Sequence, residues 1–473
     1  MKTFDHDKNT PAKERERTGI GRWIAQWKRT PDLGRDPLLP LLLRFSVPAI
    51  FSYFISELYN MVDTFYVGNE VGANAIGALG AIFPVQRLII ALSLLLAFAT
   101  SNSLAYHQGA GQREEAEKTV SAGLILNLVI MLPLTVLVYV FRHDIMPVLG
   151  AKGDLFFPAV DYVSIIIWGS VFLTLTATMA RVLLTLGHAG LSIVLTSLGA
   201  LINIIGDHIL VKNLRMGVHG AAYATLASQV LSFLICLIVY VRITRRRHVR
   251  FHPIFSAKRF ARLFSLGLPS FIVESEDAVV MAVLNLLLFR LGGETGVNVM
   301  AMNTKVYMFL FVLILGFAYG MLTVVAYNHG AGLTERMLRS VKLCLFLSLA
   351  TGIVSTVLFY LLAEPLLSLF VNDAGLVALC VPTFRRMIVG LPLLAFYYTV
   401  VMYFQAIGKA MASSVLSLLR QIAILLPMAL IFVYLFRVDL KTLFFAYPLT
   451  DLIAALISVG LFRKHLKLRE YRT

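Results

Sequence analysis

This chain is short of charge. Asp, Glu, Lys and Arg make up only 14% of its 473 residues, against roughly 25% in an ordinary soluble domain. Hydrophobic residues make up 58%, which excludes a soluble chain of this length with about three domains. Cysteine is scarcer still, at three residues. Cys236, Cys344 and Cys380 lie in or at the end of apolar runs, are odd in number and have no metal-like spacing. They read as small core residues, and a disulfide framework or metal cluster is excluded. The first 40 or so residues lack a short apolar stretch followed by a small-residue cleavage site, so no cleavable signal is expected. Histidines are scattered, mostly at loops, and no nucleophile or metal motif occurs. The expectation is therefore no enzyme, no cofactor and no bound metal other than sodium.

What the chain has in abundance is long apolar runs. Runs of roughly 20–30 residues are each long enough to cross the hydrocarbon of a bilayer as a helix. They fall at about 41–67, 78–106, 119–141, 156–184, 191–211 and 218–241, then at about 263–290, 297–327, 338–362, 376–404, 411–436 and 441–462. This predicts an all-α polytopic membrane protein of twelve spans. Residues 1–40 form a basic tail, in which Ile20, Trp23, Ile24 and Trp27 recur at helical spacing among Arg22, Lys28 and Arg29. That pattern suits a membrane surface; the other reading is a tail with chance periodicity.

Basic residues concentrate in alternate connections. The tail, the loops after spans two and eight, the acid-free stretch at 242–262 and the C-terminal 463–473 carry most of the Lys and Arg. With twelve spans these all fall on one side, so both termini are expected in the cytoplasm and the protein in the inner (plasma) membrane. The net charge of +16 is thus topology signal and anionic-lipid contact rather than a nucleic-acid footprint.

A constant offset of 221 residues aligns the two halves. Pro48 falls on Pro269, Ala97 on Ala318, Tyr106 on Tyr327, Gly109-Ala110-Gly111 on Gly330-Ala331-Gly332, and Gly187 on Gly408. Six spans per unit make the repeats parallel, a transporter architecture with a site expected between the two bundles. The expected organisation is a first lobe at 41–241, a basic cytoplasmic linker at 242–262 and a second lobe at 263–462.

Ionisable residues inside spans are functional-site candidates by default. In span one, Ser52, Ser56, Asn60 and Asp63 form one polar stripe at spacings of four, four and three. In span five, Asn203 and Asp207 share a face. Two carboxylates and two amides brought together could hold a proton or a sodium ion. Neither acid is repeated in the second lobe, where Asp63 aligns with Leu284 and Asp207 with Met428. Span seven instead carries Glu274, Glu276 and Asp277. These acids read either as a second-lobe cation site or as ion-pair partners of the in-span Lys305, Arg420 or Arg87. Aromatic and methionine residues in the second lobe, among them Tyr307, Met281 and Met402, suit a cavity for varied cationic ligands; the other reading, favoured for any single one, is a lipid-facing or packing residue. Asp451 in span twelve has no assignable role from sequence.

The string Leu58-Tyr59-Asn60-Met61-Val62-Asp63-Thr64-Phe65-Tyr66-Val67-Gly68 resembles the first-span signature of the multidrug and toxic compound extrusion transporters. Arg181 to Gly187, Asn203-Ile204-Ile205-Gly206-Asp207, Met216 to Ala222, Phe404 to Ala410 and Leu419-Arg420-Gln421 are similar to further motifs of that family. The resemblance covers nearly all of 41–462 and leaves the tail outside. It implies a cation-coupled antiporter that exports organic cations against proton or sodium entry, by alternating access of two six-helix lobes. It carries the family's first-lobe acids onto Asp63 and Asp207. His208 stands where the family often has proline, and span ten has no acid between Val377 and Phe404. Expected partners are small organic cations and the bilayer, with no nucleic acid, and the chain is expected to be monomeric. The in-span Arg87, Arg181, Lys305 and Arg420 keep a second reading open: an exporter or flippase of an anionic or lipid-linked substrate.

Overall fold

The computed structural model describes residues 31–51, 54–55, 73–149, 151, 155–247, 250–252, 255–368 and 374–470. Asn60, Asp63, Ser52, Ser56 and the amphipathic tail pattern lie outside the described residues. The described chain is all helical, with no strand among the described residues.

Ten of the described helices are long and apolar enough to cross a bilayer. We label the spanning helices in chain order: α1 Leu38–Phe51, α2 Ala73–Gly109, α3 Arg113–Val140, α4 Phe156–Thr185, α5 Ala189–Asn213 and α6 Gly217–Arg246. A single long helix, Ala257–Gly330, then holds two spans. It is broken at Gly293, whose φ of 60° and ψ of −147° no helix tolerates. Residues 257–292 form α7 and Thr295–Gly330 forms α8. Then follow α9 Thr334–Leu361, α10 Ala374–Ala406, α11 Ala410–Tyr434 and α12 Leu440–Leu466. The ten candidates together with α1 and α7 account for the twelve spans expected from the apolar runs.

The repeat is written in the backbone. Gly111, Gly332, Gly187 and Gly408 all have positive φ, at 70°, 71°, 96° and 78°. Each ends a helix with the same bond, from the amide of the next residue back to a carbonyl five positions earlier: Gln112 to His107, Leu333 to Asn328, His188 to Leu183 and Lys409 to Phe404, all at 2.9 Å. This is a Schellman stop, which needs a left-handed residue that glycine adopts without strain. The four stops form two pairs at the 221-residue offset, so each half turns at equivalent points.

Each lobe has its own apolar core, but the first helix of each unit reaches into the other. Leu41, Leu42, Phe45 and Ala49 of α1 belong to the second-lobe core, whereas Leu263 of α7 belongs to the first-lobe core. The lobes also meet at the end carrying the basic loops. A Cβ placed on Gly109 would lie 1.9 Å from the Tyr327 carbonyl oxygen, and one on Gly330 would lie 2.0 Å from that of Tyr106. Both glycines are needed for backbone-to-backbone approach. This basic end is therefore sealed by a pair of contacts that the repeat symmetry maps onto each other. The linker reinforces the seal: His252 and Arg259 meet Glu117 and Glu115 of α3 at 3.2 and 3.0 Å.

At the same end, Arg44 of α1 donates to the Gly187 carbonyl at 2.8 Å. The next residue, His188, is held below the ordinary histidine pKa by burial first, and then by the positive charges of Arg247 and Arg44. A depressed base takes up a proton more readily in the unfolded chain. Stability is therefore full above the unfolded histidine pKa of about 6.5 and falls as pH drops through and below it. His188→Gln is expected to flatten the decline of the melting temperature between roughly pH 7 and pH 5.5. Parallel melting-temperature profiles for variant and wild type would show that this group does not contribute.

Candidate functional site

A cavity of about 230 Å³ lies in the first lobe against the lobe interface. Its wall draws on α1, α2, α4, α5, α6 and α7. Apolar side chains such as Ile90, Leu94, Leu173 and Leu195 make most of it. Hydroxyl and amide groups enter at helical spacing, with Ser192 and Thr196 on α5 and Ser228, Gln229 and Ser232 on α6. These residues were not singled out from the sequence, although i, i+4 polar pairs in otherwise apolar spans were the available signal.

Three charged groups stand on the described part of this wall: Arg87, Arg181 and Glu274. Arg87 of α2 donates to Glu274 Oε1 of α7 at 2.9 Å, which ties one lobe to the other. Arg181 of α4 lies 4.0 Å above the ring of Phe98. Phe98 in turn stacks on Tyr319 of α8 with 4.2 Å between centroids.

Asn203 and Asp207, expected on one face of span five, are brought together and are both fully buried. With its amide turned to satisfy both neighbours, Asn203 donates to Asp207 Oδ2 at 3.1 Å and accepts from the Thr225 amide at 3.2 Å. Gly199 and Ala200, one turn earlier on α5, line the cavity. Immediately after Asp207 the helix widens into a π segment, His208–Asn213. Such wide turns are frequent at functional sites.

Two of the span-seven acids meet separate partners. Glu274 takes Arg87, and Glu276, 2% exposed, accepts from Gln421 of α11 at 3.2 Å. The Asp277 side chain lies outside the described residues. Gln421 sits in a second π segment, Leu419–Leu425, together with Arg420. Arg420 pairs with Asp451 of α12 at 2.8 Å, the two side chains being 3% and 1% exposed. Asp451, without a role in the sequence, is thus the counter-ion of an in-span arginine. Tyr307 and Met281 line a small second-lobe pocket of about 40 Å³ beside Arg420. Met402 is fully buried in the second-lobe core and is not among the described residues of that pocket wall.

Twelve spans in two pseudo-equivalent lobes, with a mainly apolar chamber at membrane depth that carries hydroxyl, amide and charged groups, define a multi-pass membrane transporter. The MatE family model matches the chain twice, over residues 48–209 and 269–431. The two matches begin 221 positions apart, the offset of the internal repeat, and the chain belongs to this family. It is 25% identical over 433 residues to the FAD transporter of Shewanella oneidensis, spanning 88% of this chain and 92% of the relative. It is 22% identical over 386 residues to the multidrug export protein MepA of Staphylococcus saprophyticus, spanning 81% and 85% of the two chains. Among solved structures it matches an outward-facing multidrug resistance MATE transporter of the MOP superfamily. That match has a TM-score of 0.86 and 25% identity, and covers 93% of this chain and 99% of the other. A crystal structure of a MATE transporter in complex with MaD3S matches with a TM-score of 0.88 at 25% identity, covering 94% and 100%.

Proposed function

We propose that the chain is a secondary active exporter of small amphipathic organic molecules, driven by exchange for protons or sodium through alternating access of its lobes. The observation that carries this reading is Asp207, a fully buried carboxylate at membrane depth, beside Asn203 and at the start of a π segment. An acid at that depth is costly unless it is protonated, hydrogen-bonded, paired or bound to a cation, and such acids recur on ion and proton pathways. Gaining or losing either one changes the charge of the helix that lines the chamber. Carboxylate and amide oxygens also suit a hard cation such as sodium. The relatives' names, multidrug export and FAD transport, support small organic cargo of differing chemistry. Organic cations are the cargo implied by the family resemblance, and anionic cargo is the alternative suggested by the in-span arginines.

Export in proteoliposomes under separate proton and sodium gradients tests this reading. Asp207→Asn is expected to reduce gradient-driven uphill export at least about 10-fold, as expected when an intramembrane acid that carries coupling is neutralised. Equilibration of cargo down its own gradient should persist. Full uphill export by Asp207→Asn would remove Asp207 from the coupling site.

A further inference from the structure

The two lobes meet along a ladder of repeat-equivalent residues. Phe98 of α2 stacks on Tyr319 of α8 with 4.2 Å between centroids, and Tyr319 is its own equivalent at the 221-residue offset. Gly109 and Gly330, another equivalent pair, face the carbonyls of Tyr327 and Tyr106, a third. Contacts that map onto each other in this reciprocal way straddle a two-fold axis. The α2–α8 face therefore follows the axis that relates the lobes. It runs from the aromatic stack, next to the chamber residue Ala97, to the glycine seal at the basic end.

Asn102 occupies the rung between stack and seal. It stands four residues after Phe98 and three before Ala105, so the three share a helical face. Both Phe98 and Ala105 pack in the second-lobe core, which places that face at the lobe interface. Asn102 is only 4% exposed, and neither its Nδ2 nor its Oδ1 has a hydrogen-bond partner in the protein. Its repeat equivalent on α8 is Thr323, also polar and buried. On α1, Ser46 is buried against α8 at Gly320, and its Oγ likewise has no protein partner. Folded proteins pair nearly all such groups, and an amide without a bond carries its full desolvation penalty.

We propose that Asn102 lines the passage from the chamber to the basic end and favours its opening. Closure of α2 on α8 takes the amide out of solvent and gives it no protein partner. Parting of the two helices hydrates it and presents a donor and an acceptor to cargo on the axis. The amide thus opposes the close backbone contacts of the glycine seal, and closure stays reversible. This rests on the reading of alternating access and names a residue of its passage.

Two measurements on the full chain in phosphatidylcholine nanodiscs test this. The first is amide exchange at residues 104–112 and 325–333, the helix ends that form the seal. Asn102→Leu keeps the approximate shape of the side chain and removes its unmet hydrogen bonds. It should slow exchange at both ends about 10-fold, the penalty of one buried unpaired polar group. Exchange in α10 should stay as in wild type, which separates tighter sealing from general stabilisation. The second is reaction of Asn102→Cys with a water-soluble maleimide. Cys236, Cys344 and Cys380 are all buried, so the wild-type background is low. The variant should label several-fold faster than wild type, and adding Gly330→Ala should speed it further. Unchanged seal exchange in folded Asn102→Leu would overturn the proposal, as would equal slowing in α10. So would labelling of Asn102→Cys no faster than wild type, which does not depend on the leucine variant folding. Neither measurement uses an ion gradient or Asp207. Failure here leaves ion-coupled export standing, and full uphill export by Asp207→Asn leaves this result intact.

Discussion

Gly330→Ala is expected to abolish most transport while each lobe stays folded. The added methyl would fall 2.0 Å from the carbonyl oxygen of Tyr106, 2.8 Å from its carbon and 3.1 Å from its Cα. All three are backbone atoms, so no rotamer change makes room, and α2 and α8 must separate. Within its own helix the change is favourable, since alanine is the best helix former and glycine among the worst. The cost therefore falls on the approach of the lobes at the basic end. Overpacking of this kind costs about 1–3 kcal/mol, which at the upper end lowers the share of the closed arrangement on the order of 100-fold. Gly109→Ala meets Tyr327 in the same way, at 1.9 Å, and should act alike. Two measurements check this. Cargo transport should fall steeply, and amide exchange should rise at residues 104–112 and 325–333, the two helix ends that no longer seal. Wild-type transport by either variant would mean that sealing of this end is not part of the cycle.

Asp451→Ala is the second change with a large expected effect. Its carboxylate and the Arg420 guanidinium are 2.8 Å apart and almost wholly buried. Arg420 also reaches toward Tyr307, with 3.5 Å between Nη2 and the phenol oxygen. Removing one partner strands the other charge in a low-dielectric core, a loss of about 3–5 kcal/mol. Replacing both, as in Arg420→Met with Asp451→Leu, strands nothing and should recover much of that loss. Thermal unfolding of the purified protein reads the difference: a deep fall for the single variant and a shallow one for the double. Equal falls would show that the pair does not act as a unit.

The same pair shows what could be read in advance and what could not. Arg420 and Asp451 were each visible as costly groups within apolar runs. Nothing in the sequence joins them, because they sit on separate helices 31 positions apart with no shared periodicity. Asn203 and Asp207 were legible together because four residues on one helix return to the same face. The three span-seven acids share one helix turn, Glu274 and Glu276 face different neighbours, and helical spacing alone could not choose between ligand and ion-pair roles. Glu274 went to Arg87 and Glu276 to Gln421 through the packing of α7 against α2 and α11.

By itself, the sequence determined that this is an all-helical membrane protein built from a parallel repeat. Apolar run length and backbone hydrogen bonding leave a bilayer-spanning chain few choices, and the 221-residue offset is a property of the chain order. The paired glycine stops were equally determined, since the left-handed backbone that ends a helix strongly favours that residue. Only the tertiary structure decided which charges meet, which groups line the chamber and how closely the lobes approach at Gly109 and Gly330. Those outcomes depend on the rotation and crossing of helices far apart in the chain. A single helical period records which face a residue occupies but not what that face will touch.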